Sequence, residues 1–232
     1  MGGVRAVLLD GLGTLVELRP PAPALREELR RRCGVELGRV EAERAIAAEI
    51  AYYRAHHLEG RNRAALVDLR RRCADVLLTA LPQEARERID PADALTALLA
   101  ALRFRPYPDA ARALDVLRAR WVRLVVVSNW DYSLHDVLAA TGLHPRLHGV
   151  ITSAELGTAK PSPAIFAHAL TLAGVSAERA MHVGDSVADD VAGARAAGIE
   201  PVLLRRDGTG SPPAPRGVRT IRSLRELPAL AA

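Results

Sequence analysis

The stretch that decides the fold is VRAVLLDGLGTL, residues 4–15, an apolar run that ends at a carboxylate and continues through two glycines. The run is too short for a helix and too continuously apolar for a half-exposed strand, so it predicts a central parallel strand covered on both faces. Asp10 then lies at the carboxyl end of that strand, where open α/β sheets bind ligands. Gly11 and Gly13 allow the backbone to turn tightly there. The alternative interpretation is an ordinary Asp-Gly turn at a strand end.

Three further motifs follow in the chain. VRLVVVSN at 122–129 is a predicted strand that ends in a Ser-Asn pair, Lys160-Pro161 precedes a predicted helix, and AMHVGDSVADD at 180–190 is a predicted strand followed by an acidic loop. In this order, and over nearly the whole chain, the motifs resemble those of the haloacid dehalogenase (HAD) superfamily. The chain departs from the pattern at one position, because phosphatases of that family carry Asp-x-Asp-x-Thr and Leu12 replaces the second acid.

Composition indicates a globular protein with a full hydrophobic core. The chain has 232 residues, of which 49% are hydrophobic, enough for one domain with or without an insertion. No apolar run approaches the roughly 18 residues of a membrane helix, and the first residues lack the long apolar region of a signal peptide. We therefore expect a cytoplasmic protein with no membrane partner. Cys33 and Cys73 fit a reducing compartment, lack metal-ligand spacing and are expected to be packing residues.

The basic charge of the chain raises nucleic acid as a possible partner. The formal net charge is +5, but the arginines are scattered, only 3% of residues are aromatic, and no stacking platform is recognisable. We therefore expect a solvated basic surface and no nucleic-acid partner.

Lys160 is the only lysine in the sequence, and arginine does not replace lysine where a compact point charge must fit. If the site faces solvent, replacing Lys160 is expected to cost little stability.

The first half of the chain contains a helical insertion. Prolines mark its start near residues 20–23 and its return at 104–109, and apolar residues recur between them at helical spacing. About four helices are predicted. Beyond residue 109 strands and helices alternate, which requires a parallel sheet with helices on both faces. The predicted elements there are strands at 122–129, 149–152, 181–183 and 201–204, helices at 109–120, 134–141, 164–173 and 189–197, and a polar loop at 208–216.

The fold class expected from these patterns is α/β. The family resemblance implies a three-layer Rossmann-like core with five parallel strands, formed by residues 1–16 and 105–232. It also implies that residues 17–104 form a helical cap domain, mobile over the site.

The resemblance also assigns a chemical role to the motif residues. Asp10 would be the nucleophile that attacks phosphorus and forms an aspartyl-phosphate. Ser128 and the backbone amides of Gly11 and Asn129 would hold the phosphoryl oxygens. Lys160 would neutralise the negative charge that develops on those oxygens and on Asp10.

Acidic residues of the last motif predict a metal site. Asp185, Asp189 and Asp190 share one loop, and Asp10 would add a fourth carboxylate that resists ionisation unless a cation neutralises the cluster. Hard oxygen ligands beside phosphate favour Mg²⁺. The resemblance implies direct coordination by Asp10, Asp185 and the backbone carbonyl of Leu12, with Asp190 acting directly or through water. The alternative is an acidic helix N-terminus that complements the helix dipole.

Three functions remain open at this point. The leading one is a Mg²⁺-dependent phosphatase of a small phosphorylated metabolite, with weakened acid-base catalysis because of Leu12. The second is a 2-haloacid dehalogenase, since those relatives also lack the second acid, although they work without metal. The third is a non-catalytic phosphate-binding relative, which the retention of Asp10, Thr14 and the other catalytic residues argues against. No motif identifies the substrate or the oligomeric state.

Overall fold

The computed structural model of the chain describes residues 3–206 and 214–231. Most of the predicted loop at 208–216 lies outside these residues. Contacts between Cα atoms divide the chain into two compact units, Met1–Glu17 with Arg105–Ala232 and Leu18–Phe104. No helix among the described residues combines the length and the apolar character needed to cross a bilayer.

The first unit is built on a six-stranded parallel sheet, which confirms the predicted α/β class. The strands are β1 Ala6–Leu9, β4 Arg123–Ser128, β5 Gly149–Thr152, β6 Ala180–Gly184, β7 Glu200–Leu204 and β8 Arg219–Ile221. Their order in the sheet is β5-β4-β1-β6-β7-β8. The expectation of five strands is wrong, because the three-residue strand β8, too short and polar to show an apolar run, extends one edge of the sheet.

Strand β1 is central and completely buried, as its unbroken apolar run predicts. It pairs with β4 on one side and with β6 on the other. Leu9 lies in register with Val126 and with Val183. Because the three strands run in parallel, their carboxyl ends meet at one edge of the sheet, and the residues that follow them are brought together there.

Helices of the first unit alternate with these strands along the chain. Helix α9 begins at Pro163, and the Ser162 side chain accepts a hydrogen bond from the amide of Ala164, the expected combination of an N-cap and a proline at the first helical position. The continuous helix predicted at 189–197 is instead a π-helical turn, Val187–Val191, followed by α10. The helices are α6 Ala110–Ala119, α7 Leu134–Ala140, α8 Ser153–Leu156, α9 Pro163–Ala173, α10 Ala192–Ala196 and α11 Leu227–Leu230.

The second unit is helical and has a hydrophobic cluster of its own. Cys73 is buried in this cluster and Cys33 packs against it, and the two are not joined in a disulfide. Glu49 is also buried there, with 3% of its surface exposed. The unit has five α-helices rather than about four, because a single turn forms after Pro82. They are α1 Pro21–Cys33, α2 Arg39–His56, α3 Arg63–Ala80, α4 Gln83–Arg86 and α5 Pro91–Ala101.

Two short strands carry the chain out of the first unit and back. Strand β2, Val16–Leu18, pairs with β3, Phe104–Pro106, in a two-stranded sheet. The region predicted as a linker at 104–109 therefore begins with a strand. At the helical end of this pair, the amide of Arg19 donates to the carbonyl of Arg103 over 2.9 Å.

Candidate active site

Four of the predicted site residues meet at the carboxyl edge of the sheet. Asp10 follows β1, Ser128 is the last residue of β4, and Asp190 lies in the π-helical turn after β6. Lys160, which precedes α9, reaches the same place and is 5% exposed. These residues come from four separate segments, so their meeting is a consequence of the parallel topology.

Lys160 is the centre of this group. Its Nζ donates to Asp10 Oδ1 over 2.7 Å and to Asp190 Oδ1 over 2.6 Å, and its side chain is 2% exposed. Ser128 Oγ donates to the same Asp10 oxygen over 3.2 Å. The buried ammonium therefore bridges two carboxylates. The small stability cost expected on replacing Lys160 was conditional on a solvent-facing site, so it does not apply to this buried arrangement.

Asn129 holds the backbone of Lys160. The Asn129 Oδ1 accepts from the Lys160 amide over 2.8 Å, and its Nδ2 donates to the Lys160 carbonyl over 3.0 Å. The peptide bond from Lys160 to Pro161 is cis. Asn129 was predicted to act through its backbone amide, but its side chain has this second role, which places the lysine relative to β4.

His182, a histidine within the apolar strand β6, was not among the predicted site residues. Its Nε2 lies 2.9 Å from Asp190 Oδ1, and the ring packs edge-on against Phe166. The amide of Ser186 donates to Asp190 Oδ2 over 2.9 Å. Both oxygens of Asp190 are therefore engaged within the protein. A polar residue inside an otherwise apolar buried strand is the signal that could have singled out His182.

The electrostatics of the group follow from its burial. Burial, with smaller contributions from Asp190 and Asp185, raises the pKa of Asp10 to about 6, although the Lys160 charge acts in the opposite direction. Burial and the Asp190 charge likewise raise the pKa of Asp185. The pKa of Asp190 stays below its ordinary value despite burial, because Lys160 and His182 stabilise its charge. The pKa of Lys160 is raised by Asp10 and Asp190, which outweigh its burial.

The carboxylates fit a divalent cation. Asp10, Asp185 and Asp190 each place a carboxylate oxygen within 4.8 Å of the others. Asp185 lies against Gly13, where a Cβ would be 2.1 Å from Asp185 Oδ2. Gly13 also has a φ of +83°, a backbone conformation that favours glycine. Asp190 has few free lone pairs, so Asp10 and Asp185 are the better ligands. A bound cation would favour the ionised form of both carboxylates, whose pKa values are raised first of all by burial.

The remaining residues of the first motif differ in exposure. Leu12 is 41% exposed, and its side chain carries no group that could transfer a proton. Thr14 is completely buried, and its Oγ1 has no hydrogen-bond partner among the described residues. Gly11 packs so closely against Ser128 that a Cβ at Gly11 would lie 2.9 Å from its Oγ.

Arg206 stabilises the loop of the first motif from a distant part of the sequence. Its Nη2 donates to the carbonyl of Thr14 over 2.7 Å and its Nε to that of Gly13 over 3.3 Å. Its Nη1 pairs with Asp109 over 3.0 Å, and the guanidinium lies 3.6 Å from the centre of the Tyr107 ring. Arg206 was not among the predicted site residues, because no local pattern marks an arginine that acts 192 positions away in the sequence.

Comparison with known proteins identifies relatives of the chain. The family described as "Hydrolase: haloacid dehalogenase-like hydrolase" matches residues 4–198. The chain is 33% identical to a protein named phosphoserine phosphatase from Thermus thermophilus, over 88% of this chain and 89% of the relative. It is 44% identical to haloacid dehalogenase-like hydrolase domain-containing protein 3 of Bos taurus, over 41% of this chain and 38% of the relative. The chain thus spans less than half the length of some curated relatives.

Solved structures similar to the chain include enzymes of two kinds. A 2-haloacid dehalogenase from Pseudomonas syringae pv. Tomato matches with a TM-score of 0.68 at 25% identity, covering 98% of this chain and 97% of the other. A HAD phosphatase from Thermococcus onnurineus matches with a TM-score of 0.66 at 25% identity and the same coverage. Together with the family match, these similarities show that the chain belongs to the haloacid dehalogenase-like hydrolases.

Proposed function

We propose that the chain is a Mg²⁺-dependent phosphatase of a small phosphorylated molecule, with Asp10 as the nucleophile. The observation that carries the proposal is the buried contact of Lys160 Nζ with Asp10, 2.7 Å long, beside the carboxylate of Asp185. This arrangement combines a nucleophile, a fixed positive charge and a site for a second cation at one edge of the sheet. The relative named phosphoserine phosphatase, aligned over most of both chains, supports a small phosphorylated substrate.

In this proposal an oxygen of Asp10 attacks phosphorus. Asp10 Oδ1 accepts from Lys160 and from Ser128, and none of the described residues donates to Oδ2 within hydrogen-bonding distance. The carboxylate is therefore oriented through one oxygen and keeps free lone pairs on the other. The phosphorus–oxygen bond to the leaving group breaks as the bond to Asp10 forms, and water then hydrolyses the aspartyl-phosphate to inorganic phosphate.

Lys160 would stabilise charge on the transferring phosphoryl group. It is held by the Asn129 side chain on its backbone and by Asp190 on its Nζ, so it need not reorganise during the reaction. Asp10 and Asp185, with the carbonyl of Leu12, would hold Mg²⁺. The ion would supply further positive charge to the phosphoryl oxygens and favour the ionised form of Asp10.

Leu12 narrows the class of substrate. In related phosphatases an acid at this position protonates the leaving oxygen and later activates water, a contribution worth about 10²–10⁴ in rate. Leucine can do neither. We therefore expect leaving groups that depart without a proton, as in aryl phosphates and acyl phosphates, to be preferred over alkyl phosphates, and we expect aspartyl-phosphate on Asp10 to accumulate.

A substrate panel tests this function. Aryl, acyl and alkyl phosphates are incubated with the enzyme in Mg²⁺ and in excess chelator, with Asp10→Asn as the inactive control. We expect release of inorganic phosphate from the first two classes, loss of that release in chelator, and an initial burst of the leaving group. Equal rates with and without chelator would exclude a requirement for Mg²⁺. No release of inorganic phosphate from any of the substrates would exclude phosphatase activity.

Leu12 and the similarity to the Pseudomonas syringae dehalogenase favour one second candidate, a 2-haloacid dehalogenase. Halide leaves without a proton, so the reaction would not need an acid at this position, and Asp10 would attack carbon instead of phosphorus. The carboxylate of Asp185 would repel a 2-haloacid. The same panel includes 2-chloropropionate, and chloride release in chelator would establish this candidate in place of the first.

A further inference from the structure

A polar cleft lies at the amino edge of the sheet, at the opposite end of β1 from Asp10. Its volume is about 730 Å³. It is lined by Arg5, which precedes β1, by Arg123, the first residue of β4, and by Arg179, which precedes β6. Arg118, in the last turn of α6, is a fourth cation. We call this cavity the arginine cleft.

Three of the arginines are adjacent in space because their strands are. The amide of Arg123 donates to the carbonyl of Arg5, and the amide of Arg5 donates to the carbonyl of Arg179, each over 2.8 Å. The in-register partner of Arg123 on β1 is Ala6 rather than Arg5, so the arginine side chains do not all leave the sheet from the same face. The adjacent starts of the three strands nevertheless place all three arginines around one cleft at the sheet edge.

No carboxylate pairs with these arginines within residues 3–206 and 214–231. The cleft lining contains no acidic residue, and none of its four arginines forms an ion pair there. Elsewhere in the same unit exposed arginines do pair, as Arg105 does with Glu17 and Arg219 with Glu200. Arg118 alone could be explained by the dipole of α6, but the three arginines at the strand starts have no such explanation.

An exposed tryptophan completes the cleft. Trp121 lines it, is 85% exposed, and has a φ of +61°, a backbone conformation that a bulky residue adopts only under local constraint. An indole in this setting offers an aromatic face to a planar ring. His148, also in the lining, has a pKa below its ordinary value, first because of burial and then because of Arg123 and Arg118.

We propose that the arginine cleft binds a nucleoside polyphosphate, with the phosphates on Arg5, Arg123 and Arg179 and the base against Trp121. Guanidinium groups match phosphate oxygens in bidentate geometry, and the indole suits a heterocycle. The volume lies within the roughly 300–1,000 Å³ of small-molecule sites, which favours a nucleotide over a nucleic-acid strand. The site is separate from Asp10 and does not depend on the phosphatase proposal.

Calorimetry on the full chain tests the cleft. ADP, pyrophosphate, adenosine and a single-stranded oligonucleotide are titrated in chelator, so that no metal-dependent turnover occurs at Asp10. We expect ADP to bind more tightly than pyrophosphate, and adenosine to bind about tenfold or more weakly than ADP, since it lacks the phosphates. Equal affinity for ADP and pyrophosphate would overturn the role of Trp121. Tighter binding of the oligonucleotide would show a nucleic-acid surface, and no binding of ADP would overturn the site.

Variants distinguish specific binding in the arginine cleft from nonspecific attraction of anions to a basic protein. Arg123→Gln and, independently, Arg5→Gln are each expected to weaken ADP binding about tenfold or more. Arg112→Gln removes the same charge from an exposed position on α6 about 9 Å along the helix from Arg118, and is expected to leave the affinity within about twofold. Trp121→Ser should weaken ADP but not pyrophosphate. If Arg112→Gln weakens binding as much as Arg123→Gln does, the site is refuted.

The same variants can also be tested without a ligand, by measuring their melting temperatures. Because neither arginine forms an ion pair among the described residues, we expect Arg123→Gln and Arg5→Gln to melt at about the temperature of the wild type. Release of inorganic phosphate from an aryl phosphate should be unchanged in both. A lower melting temperature in both variants would mean that the arginines stabilise the fold and are not kept for a ligand.

Discussion

Replacing Lys160 with methionine tests the central contact of the site. Methionine keeps much of the volume and removes the charge, which leaves Asp10 and Asp190 buried without the ammonium that bridges them at 2.7 and 2.6 Å. Breaking a buried ion pair by removing one partner costs about 3–5 kcal/mol. For a chain of this length that corresponds to a fall in melting temperature of roughly 6–20 °C.

The assay is thermal and urea unfolding followed by circular dichroism, together with phosphate release from an aryl phosphate. Turnover should fall by about 10²–10³ or more, because a fixed positive charge at the reacting group is lost. The double variant Lys160→Met/Asp190→Asn is the matched control. It removes the charge of one of the two carboxylates that have lost the ammonium, so it should recover part of the stability and none of the activity.

The outcome that would refute this reasoning is a Lys160→Met protein that melts with the wild type. Such a result would mean that the ammonium is not the counter-charge of the two buried carboxylates. A stable but inactive variant would mean that Lys160 acts in the chemical step and not in stability. Recovery of activity in the double variant would contradict the catalytic role given to the lysine.

Three further predictions concern other parts of the molecule. Leu12→Asp should raise turnover of alkyl phosphates by a factor of up to about 10²–10⁴. Its affinity for Mg²⁺ in calorimetry should be unchanged, since the backbone carbonyl remains. Unchanged turnover would mean that another residue supplies the proton. Arg206→Met should lower the free energy of unfolding by about 1–3 kcal/mol and should also lower kcat, because two loop carbonyls lose their donor. An unaffected kcat would show that the loop holds its shape unaided. Burial raises the pKa of Glu49 to about 7 from 4.5, so the folded state binds this proton more tightly and stability falls as pH rises from about 4.5 to 7. Glu49→Gln should remove roughly 3 kcal/mol of that loss in urea unfolding at pH 5 and pH 8, whereas the exposed Glu43→Gln on the same helix should not.

Much of the site was predictable because parallel sheets place strand ends together. The apolar run before Asp10 indicated a central strand, and β1 is central. The alternation after residue 109 indicated the parallel sheet. Both patterns depend on residues that are close in sequence, which is why they could be found without coordinates.

The partners of these residues were not predictable, because they depend on contacts between distant segments. Nothing local indicates that Asp190 bonds Lys160 and His182. Arg206 lies next to an unremarkable strand end. The sixth strand was missed for another reason, since its three residues carry no periodicity and join the sheet only because β7 offers a free edge.

The pairing of β2 with β3 has a consequence for the modularity of this chain. Because Arg19 and Arg103 are joined by one hydrogen bond, the segment between them begins and ends at nearly the same point. A tight hairpin turn could therefore replace the whole segment with little loop-closure entropy. The helical segment is thus a cassette that gene rearrangement could exchange for another fold without redesigning the strands that carry Asp10 and Ser128.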